Sequence, residues 1–186
     1  MAATTNAAPR LAIGRATLDQ FRVVLEREAP AQAAGLLREV GFSAGATTYE
    51  GFVESVAGRF GVETPQGLDA RYLGEALAGF FREQGWGSCA AESIGPGLLA
   101  FDCPDWAEAA PREAAVPSCH FGCGMLSDFF TRLGGYPAAV LETECRSRGD
   151  ARCRFLVGSP DLLTWVYEEM MGGRTLEQLI AALKAA

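Results

Sequence analysis

Apolar residues recur at helical spacing through the first half of the chain. Between Thr17 and Glu28, Leu18, Phe21, Val24 and Leu25 fall on one stripe, and Ala29-Pro30 closes the segment, as proline cannot extend a helix. Ala31 to Phe42 repeats the pattern, and Thr48 to Phe60 adds a stripe through Phe52, Val53 and Val56. The intervening Gly45-Ala46-Thr47 predicts either a break between two helices or a bend in one long helix. Leu68 to Gln84 carries Tyr72, Leu73, Leu77, Phe80 and Phe81 on its apolar side and stops before Gly85, the residue type that ends helices most readily.

The period then changes. Trp86 to Ile94 and Gly97 to Asp102 are short, partly alternating segments joined by Gly95-Pro96-Gly97, a turn signal that predicts a hairpin. Pro117 to Gly134 reads as a helix with Phe121, Leu126, Phe129, Phe130 and Leu133 inward, and Gly122 and Gly124 leave room for a close neighbour. Ala138 to Cys145 and Cys153 to Val157 predict a second hairpin, turning at Gly149-Asp150. Ser159-Pro160-Asp161 caps a helix over Leu162 to Met171, and a last helix runs from Thr175 to Ala185. The fold class predicted is α+β, with helices packed on a four-stranded antiparallel sheet made of two hairpins.

At 186 residues, with 49% hydrophobic and 21% charged positions, the chain suits one domain with a sizeable core. The expected division is a loose tail over 1–9 and one domain over 10–186. Within that domain a helical part covers 10–85, a sheet part 86–159 and C-terminal helices 160–186. The small, polar tail resembles neither a secretory signal nor a transit peptide, and no apolar stretch approaches the roughly 18 residues of a membrane helix. No membrane association and a cytoplasmic location are expected. A net charge of −7 disfavours direct contact with nucleic acid. The one basic cluster, Arg146, Arg148, Arg152 and Arg154, brackets the Gly149-Asp150 turn and reads as outward-facing, solvated arginines.

Six cysteines in a chain without an export signal point to thiols or metal ligands rather than disulfides. Cys145 and Cys153 flank the predicted turn, so a hairpin brings their sulfurs together, and Glu142 lies at the same end of the sheet. Cys119, at the start of the preceding helix, can meet them there. Thiolates and a carboxylate in four-fold coordination suit zinc, which ties loops together without redox chemistry. The spacing leaves the fourth ligand open among Glu142, Glu144, Cys123 and His120. Buried cysteines are also ordinary core residues, and that is the simplest reading of Cys89 and Cys103. His120, the only histidine, has no serine or aspartate constellation near it in sequence, so no nucleophile and base pair can be assigned.

The segments Asp102-Cys103-Pro104-Asp105-Trp106-Ala107-Glu108, Pro117-Ser118-Cys119, Glu142-Thr143-Glu144-Cys145-Arg146-Ser147-Arg148-Gly149-Asp150 and Cys153-Arg154-Phe155 together resemble the 4-vinyl reductase domain family. That family is similar to the sensor domains of phenol- and xylene-responsive bacterial activators and, more distantly, to TRAPP trafficking subunits. The resemblance implies zinc on Cys119, Glu142, Cys145 and Cys153, selecting Glu142 over Glu144. It also implies a pocket for a hydrophobic or aromatic molecule near the metal. Trp106 matches a pocket tryptophan of the sensors, and Phe80, Phe81, Trp86, Phe121 and Phe129 are further lining candidates. The sensors' phenol-binding histidine has no counterpart here.

The leading functional expectation is therefore a zinc-containing, homodimeric module that binds or senses a hydrophobic or aromatic (hydrocarbon-like) small molecule. A reductase-like or accessory protein acting on a tetrapyrrole of the bacteriochlorophyll pathway is the second expectation, and a TRAPP-like dimeric interaction module the third. Catalysis is not expected, because no dinucleotide fingerprint follows a strand and a zinc with four protein ligands is coordinatively closed.

Overall fold

Amphipathic helices and two hairpins build the described part of the molecule, residues 12–109 and 114–185 of a computed structural model. The tail expected over 1–9 lies outside the described residues. In chain order the elements are α1 (Arg15–Glu28), α2 (Ala33–Phe60), α3 (Ala70–Glu83), β1 (Ala90–Gly95), β2 (Leu98–Cys103), α4 (His120–Gly134), β3 (Ala139–Glu144), β4 (Cys153–Gly158), α5 (Pro160–Met171) and α6 (Leu176–Ala185). The strands form one open antiparallel sheet in the order β1-β2-β4-β3, so the two predicted hairpins stand side by side, joined through β2 and β4.

Alternation along the central strands assigns each sheet face to its own helices. Phe101, Cys103, Cys153, Phe155 and Val157 point into the larger core, with Phe52, Leu77, Phe81, Met125 and Phe129 from α2, α3 and α4. Leu98, Ala100 and Leu156 point the other way, onto Leu163 and Val166 of α5 and Leu176 and Leu179 of α6. The central strands are thus buried on both faces, which explains why β4 reads as almost continuously apolar.

The two predicted helices on either side of Gly45-Ala46-Thr47 are one continuous helix, α2. Its glycines serve packing. A Cβ on Gly41 would overlap the Phe121 carbonyl oxygen and stand 2.8 Å from its carbon, and one on Gly124 of α4 would do the same to the carbonyl of Arg38. The two helices therefore meet backbone to backbone, an approach that only residues without a Cβ permit.

Other boundaries shift for local reasons. β1 begins at Ala90 rather than Trp86, because Gly85 and Gly87 take positive φ angles and turn the chain first. α4 begins at His120, with Cys119 at its N-cap, three residues later than Pro117. Ser159 caps α5 as predicted, its hydroxyl accepting the Leu162 N–H.

The basic cluster is not a simple solvated turn. Arg154 makes a bidentate pair with Asp102, with nitrogen to oxygen distances of 2.8 and 2.7 Å, and Arg152 does the same with Glu144 at 3.0 and 3.2 Å. Cross-pairs of Arg152 with Asp102 at 3.3 Å and Arg154 with Glu144 at 3.5 Å close the network. Arg148 folds back on Asp150 at 2.6 Å. No described helix is long and apolar enough to cross a membrane.

Candidate metal centre

The second hairpin brings three cysteines and a glutamate to one point under the start of α4. Regular alternation would put Glu142 and Cys145, three positions apart, on opposite faces of the sheet. A bulge resolves this: Glu142 opposes Phe155 while Glu144 opposes Arg154, so Thr143 is the extra residue. Glu142 and Cys145 then share the helix-facing side with Cys153, while Glu144 turns outward to Arg152 and Arg154. The turn between Cys145 and Cys153 is tied down by Asp150, whose Oδ2 accepts the Cys145 N–H at 2.7 Å.

The geometry fits a tetrahedral ion. Cys119 Sγ lies 3.8 Å from both Cys145 Sγ and Cys153 Sγ, and ligand atoms of Cys119, Glu142, Cys145 and Cys153 all fall within 4.8 Å of one another. Sulfurs about 2.3 Å from a shared zinc at tetrahedral angles stand about 3.8 Å apart, whereas a disulfide would hold them at about 2.05 Å. The three cysteines are fully buried and Glu142 is 6% exposed. Glu142 Oε2 accepts the Cys119 N–H at 2.9 Å, which leaves Oε1 buried without a hydrogen-bond partner. An orphaned, buried carboxylate oxygen facing three thiols is the donor set a divalent cation would complete.

The electrostatics agree. Burial pushes the Glu142 carboxyl up to about 8, followed by the charge of Cys145. Hydrogen bonding with Cys145 and Cys153, together with burial, pushes the Cys119 thiol up, and the same contacts hold Cys145 down. Thiols and carboxyl thus share too few charges among too many donors, and a divalent cation would stabilise the fully ionised set. Cys123, His120 and Glu144 do not belong to the cluster. Cys123 lies one turn further along α4, and burial pushes its thiol up. His120 is half-buried, and burial followed by the charge of Arg38 lowers its pKa.

Glu108 carries no mark in the sequence that assigns it a role. It is buried beside the centre, its Oε1 accepting the Phe121 N–H at 2.9 Å and its Oε2 the Gly122 N–H at 2.6 Å. The loop after β2 is thereby fastened to the start of α4, one turn from Cys119. Gly122 makes this possible, since a Cβ there would lie 2.8 Å from Glu108 Oε2 and 2.9 Å from Trp106 Nε1. Burial raises the Glu108 carboxyl to about 7, against the opposing pull of those two N–H groups and Arg22. A carboxyl raised in the folded state contributes stability that is full below its unfolded pKa near 4.5 and is lost as pH rises through 7. Denaturant titrations at pH 5 and pH 8 are expected to show wild type losing up to about 3 kcal/mol more than Glu108→Gln over that interval. Equal losses in the two proteins would refute the assignment.

The six candidate lining residues divide into two groups. Phe80, Trp86 and Phe121 line a cleft of about 550 Å³ between α1, α2 and the end of α3, with Leu18, Thr48 and Gln84 among its other walls. Trp106, Phe81 and Phe129 are fully buried behind it, in edge-on or tilted ring contacts such as Phe81 with Phe129 at 5.3 Å. Trp86 joins the groups, stacking on Trp106 at 4.9 Å and on Phe121 at 6.1 Å. A second groove, of about 400 Å³, lies at the other end of the sheet among Leu68, Leu73, Phe130 and Tyr136.

Fold and site together define a helix-covered antiparallel sheet whose second hairpin closes on a buried cluster of three cysteines and a glutamate. Residues 103–159 match the 4-vinyl reductase domain family, and the chain carries such a domain over those residues. It is 30% identical over 129 residues to the bacteriochlorophyll synthase 23 kDa chain of Cereibacter sphaeroides, a match covering 68% of this chain. The chain spans 61% of the length of that relative. Among solved structures, it superposes on the phenol-responsive sensory domain of the transcription activator PoxR, bound to phenol, with a TM-score of 0.61 and 20% identity, covering 88% of this chain and 82% of that one. A trafficking protein particle complex subunit 3 from Naegleria fowleri, covalently bound to palmitic acid, follows with a TM-score of 0.54 and 11% identity, covering 77% of this chain and 93% of that one. Both structures share its fold.

Proposed function

We propose that residues 10–186 form a single zinc-containing domain that binds a hydrophobic or aromatic small molecule. The zinc sits on Cys119, Glu142, Cys145 and Cys153, and the ligand occupies the cleft walled by Phe80, Trp86 and Phe121. The observation that carries the metal is the buried set of four donors with sulfur spacings of 3.8 Å and an unpartnered Glu142 oxygen. All four positions of a tetrahedral zinc are then filled by protein, so its role is structural and the protein acts by binding rather than by hydrolysis. The cleft volume falls in the range of small-molecule sites, about 300 to 1,000 Å³. Trp106, stacked under Trp86, forms the wall between cleft and core. We place the protein in the cytoplasm as a homodimer, with the half-exposed Phe21, Leu36 and Val40 of α1 and α2 as the contact surface.

Native mass spectrometry of the full chain tests the metal, the subunit number and any retained cargo in one spectrum. One zinc per chain is expected, and a metal-free, folded wild type would overturn the reading. Calorimetric titration with 1-naphthol, as an aromatic probe, tests the cleft. Saturable binding of one molecule per chain is expected, weakened about tenfold in Trp86→Ala, a loss of about 1.4 kcal/mol. Equal affinity in the two proteins would move the ligand elsewhere.

The likeness to the bacteriochlorophyll synthase chain favours one alternative, an accessory protein for a tetrapyrrole. On that reading the protein retains a pigment absorbing in the visible when expressed in a pigment-producing host.

A further inference from the structure

The metal ligands are not the only thiols at their end of the sheet. β1 and β2 pair with Ala90 opposite Asp102 and Ala91 opposite Phe101, so one step beyond the last pair Cys89 faces Cys103. β2 and β4 pair with Cys103 opposite Cys153. Cys89, Cys103 and Cys153 therefore form a row across neighbouring strands, all in the helix-facing core. Cys153 ends the row at the metal centre. Cys89 and Cys103 are free, buried thiols that no ligand set uses.

Directly opposed residues of an antiparallel pair have Cα atoms about 4.5 to 5.5 Å apart, inside the roughly 4.4 to 6.8 Å span that a disulfide bridges. The cover over the pair is thin. Gly87 lies against Cys103, where a Cβ would be 2.5 Å from the Cys103 sulfur, and the next residue, Ser88, is only partly buried. Cys103 Sγ also donates to Asp105 Oδ1 at 3.3 Å, and the same oxygen accepts the Ser88 N–H at 2.6 Å. The segment that covers the thiols is thus held by one carboxylate at the surface.

We infer that Cys89 and Cys103 are an oxidisable dithiol, a modification site separate from the metal ligands, which a peroxide converts to a cross-strand disulfide. Two S–H bonds break and one S–S bond forms. The two sulfurs are oxidised by two electrons in total, and hydrogen peroxide, reduced by the same two, takes both protons and leaves as two molecules of water. The metal-bound sulfurs, held as ligands, are expected to be spared. The inference does not depend on the small-molecule cleft.

The test treats the full-length, metal-loaded protein with a small excess of hydrogen peroxide, unfolds it in iodoacetamide and maps the peptides by mass spectrometry. The alkylatable thiols, six in the sequence, are expected to fall by two. The missing pair should appear as one cross-linked peptide pair containing Cys89 and Cys103, reversed by dithiothreitol, with bound zinc unchanged. Cys89→Ala and Cys103→Ala should each abolish the link. Cys89 and Cys103 both remaining alkylatable, or each linked to a different cysteine, would overturn the inference. Additional loss of Cys119, Cys145 and Cys153 beside an intact 89–103 link would support it while counting against the metal, so the two readings fail separately.

Discussion

Replacing Cys145 with serine is expected to release the metal and lower the melting temperature by about 10 °C or more. The cluster joins three segments that meet at that point: the cap of α4, the end of β3 and the start of β4. Binding free energy at a structural zinc is folding free energy, and removing one ligand leaves two buried thiols and a buried carboxylate without their counter-ion. A loss of about 4 kcal/mol, at roughly 2 to 4 °C per kcal/mol for a domain of this size, gives that shift. Differential scanning calorimetry beside metal analysis reads both effects, and a strong chelator applied to wild type should reproduce them. A Cys145→Ser protein that melts with wild type would reduce the cluster to ordinary core.

The second large effect is expected at the crossing of α2 and α4. Gly124→Ala drives a methyl group into the Arg38 carbonyl oxygen and to 2.8 Å from the Phe42 nitrogen. Those are backbone atoms, which cannot swing aside as a side chain can, so the helices must separate along their length. The cost is expected to be about 3 kcal/mol or more, at the upper end of overpacking substitutions. Gly58→Ala on α2 meets nothing within 4 Å and is expected to stabilise by up to about 1 kcal/mol through helix propensity. Urea denaturation of the two variants checks the sign as well as the size. Destabilisation of both would assign the effect to helix glycines in general rather than to this contact.

Much of this architecture was legible in the sequence because period and punctuation agree. The hairpin turns at Gly95-Pro96-Gly97 and Gly149-Asp150, the Ser159 cap and the apolar stripe of α3 each carry a local signal, and each element lies within a few residues of its expected place. The long α2 did not resolve locally, because Gly41 and Gly45 carry the composition of a break while answering to α4, a neighbour far along the chain. The four clustered residues were those implied by the family likeness, whereas spacing alone left Glu144, Cys123 and His120 in contention. What excludes Glu144 is the bulge at Thr143, set by strand pairing and invisible in a count of residues. Glu108 was missed for a related reason: one acidic residue in a loop gives no sign that it will be buried against the N–H groups of a helix. The aromatic candidates show the opposite failure. Helical spacing marks a ring as inward without saying whether it faces a cleft, as Phe80 does, or other rings, as Phe129 does.

The sheet is open, and both outer strands carry an irregularity in register, β1 between Ser93 and Gly95 and β3 between Glu142 and Glu144. A regular outer strand offers a row of unpaired N–H and C=O groups to any passing strand, whereas a kinked one presents them out of step. The bulge that aims Glu142 at the metal therefore also blunts an edge against amyloid-like growth. Two copies of this chain would be steered to meet through their helices rather than by extending the sheet.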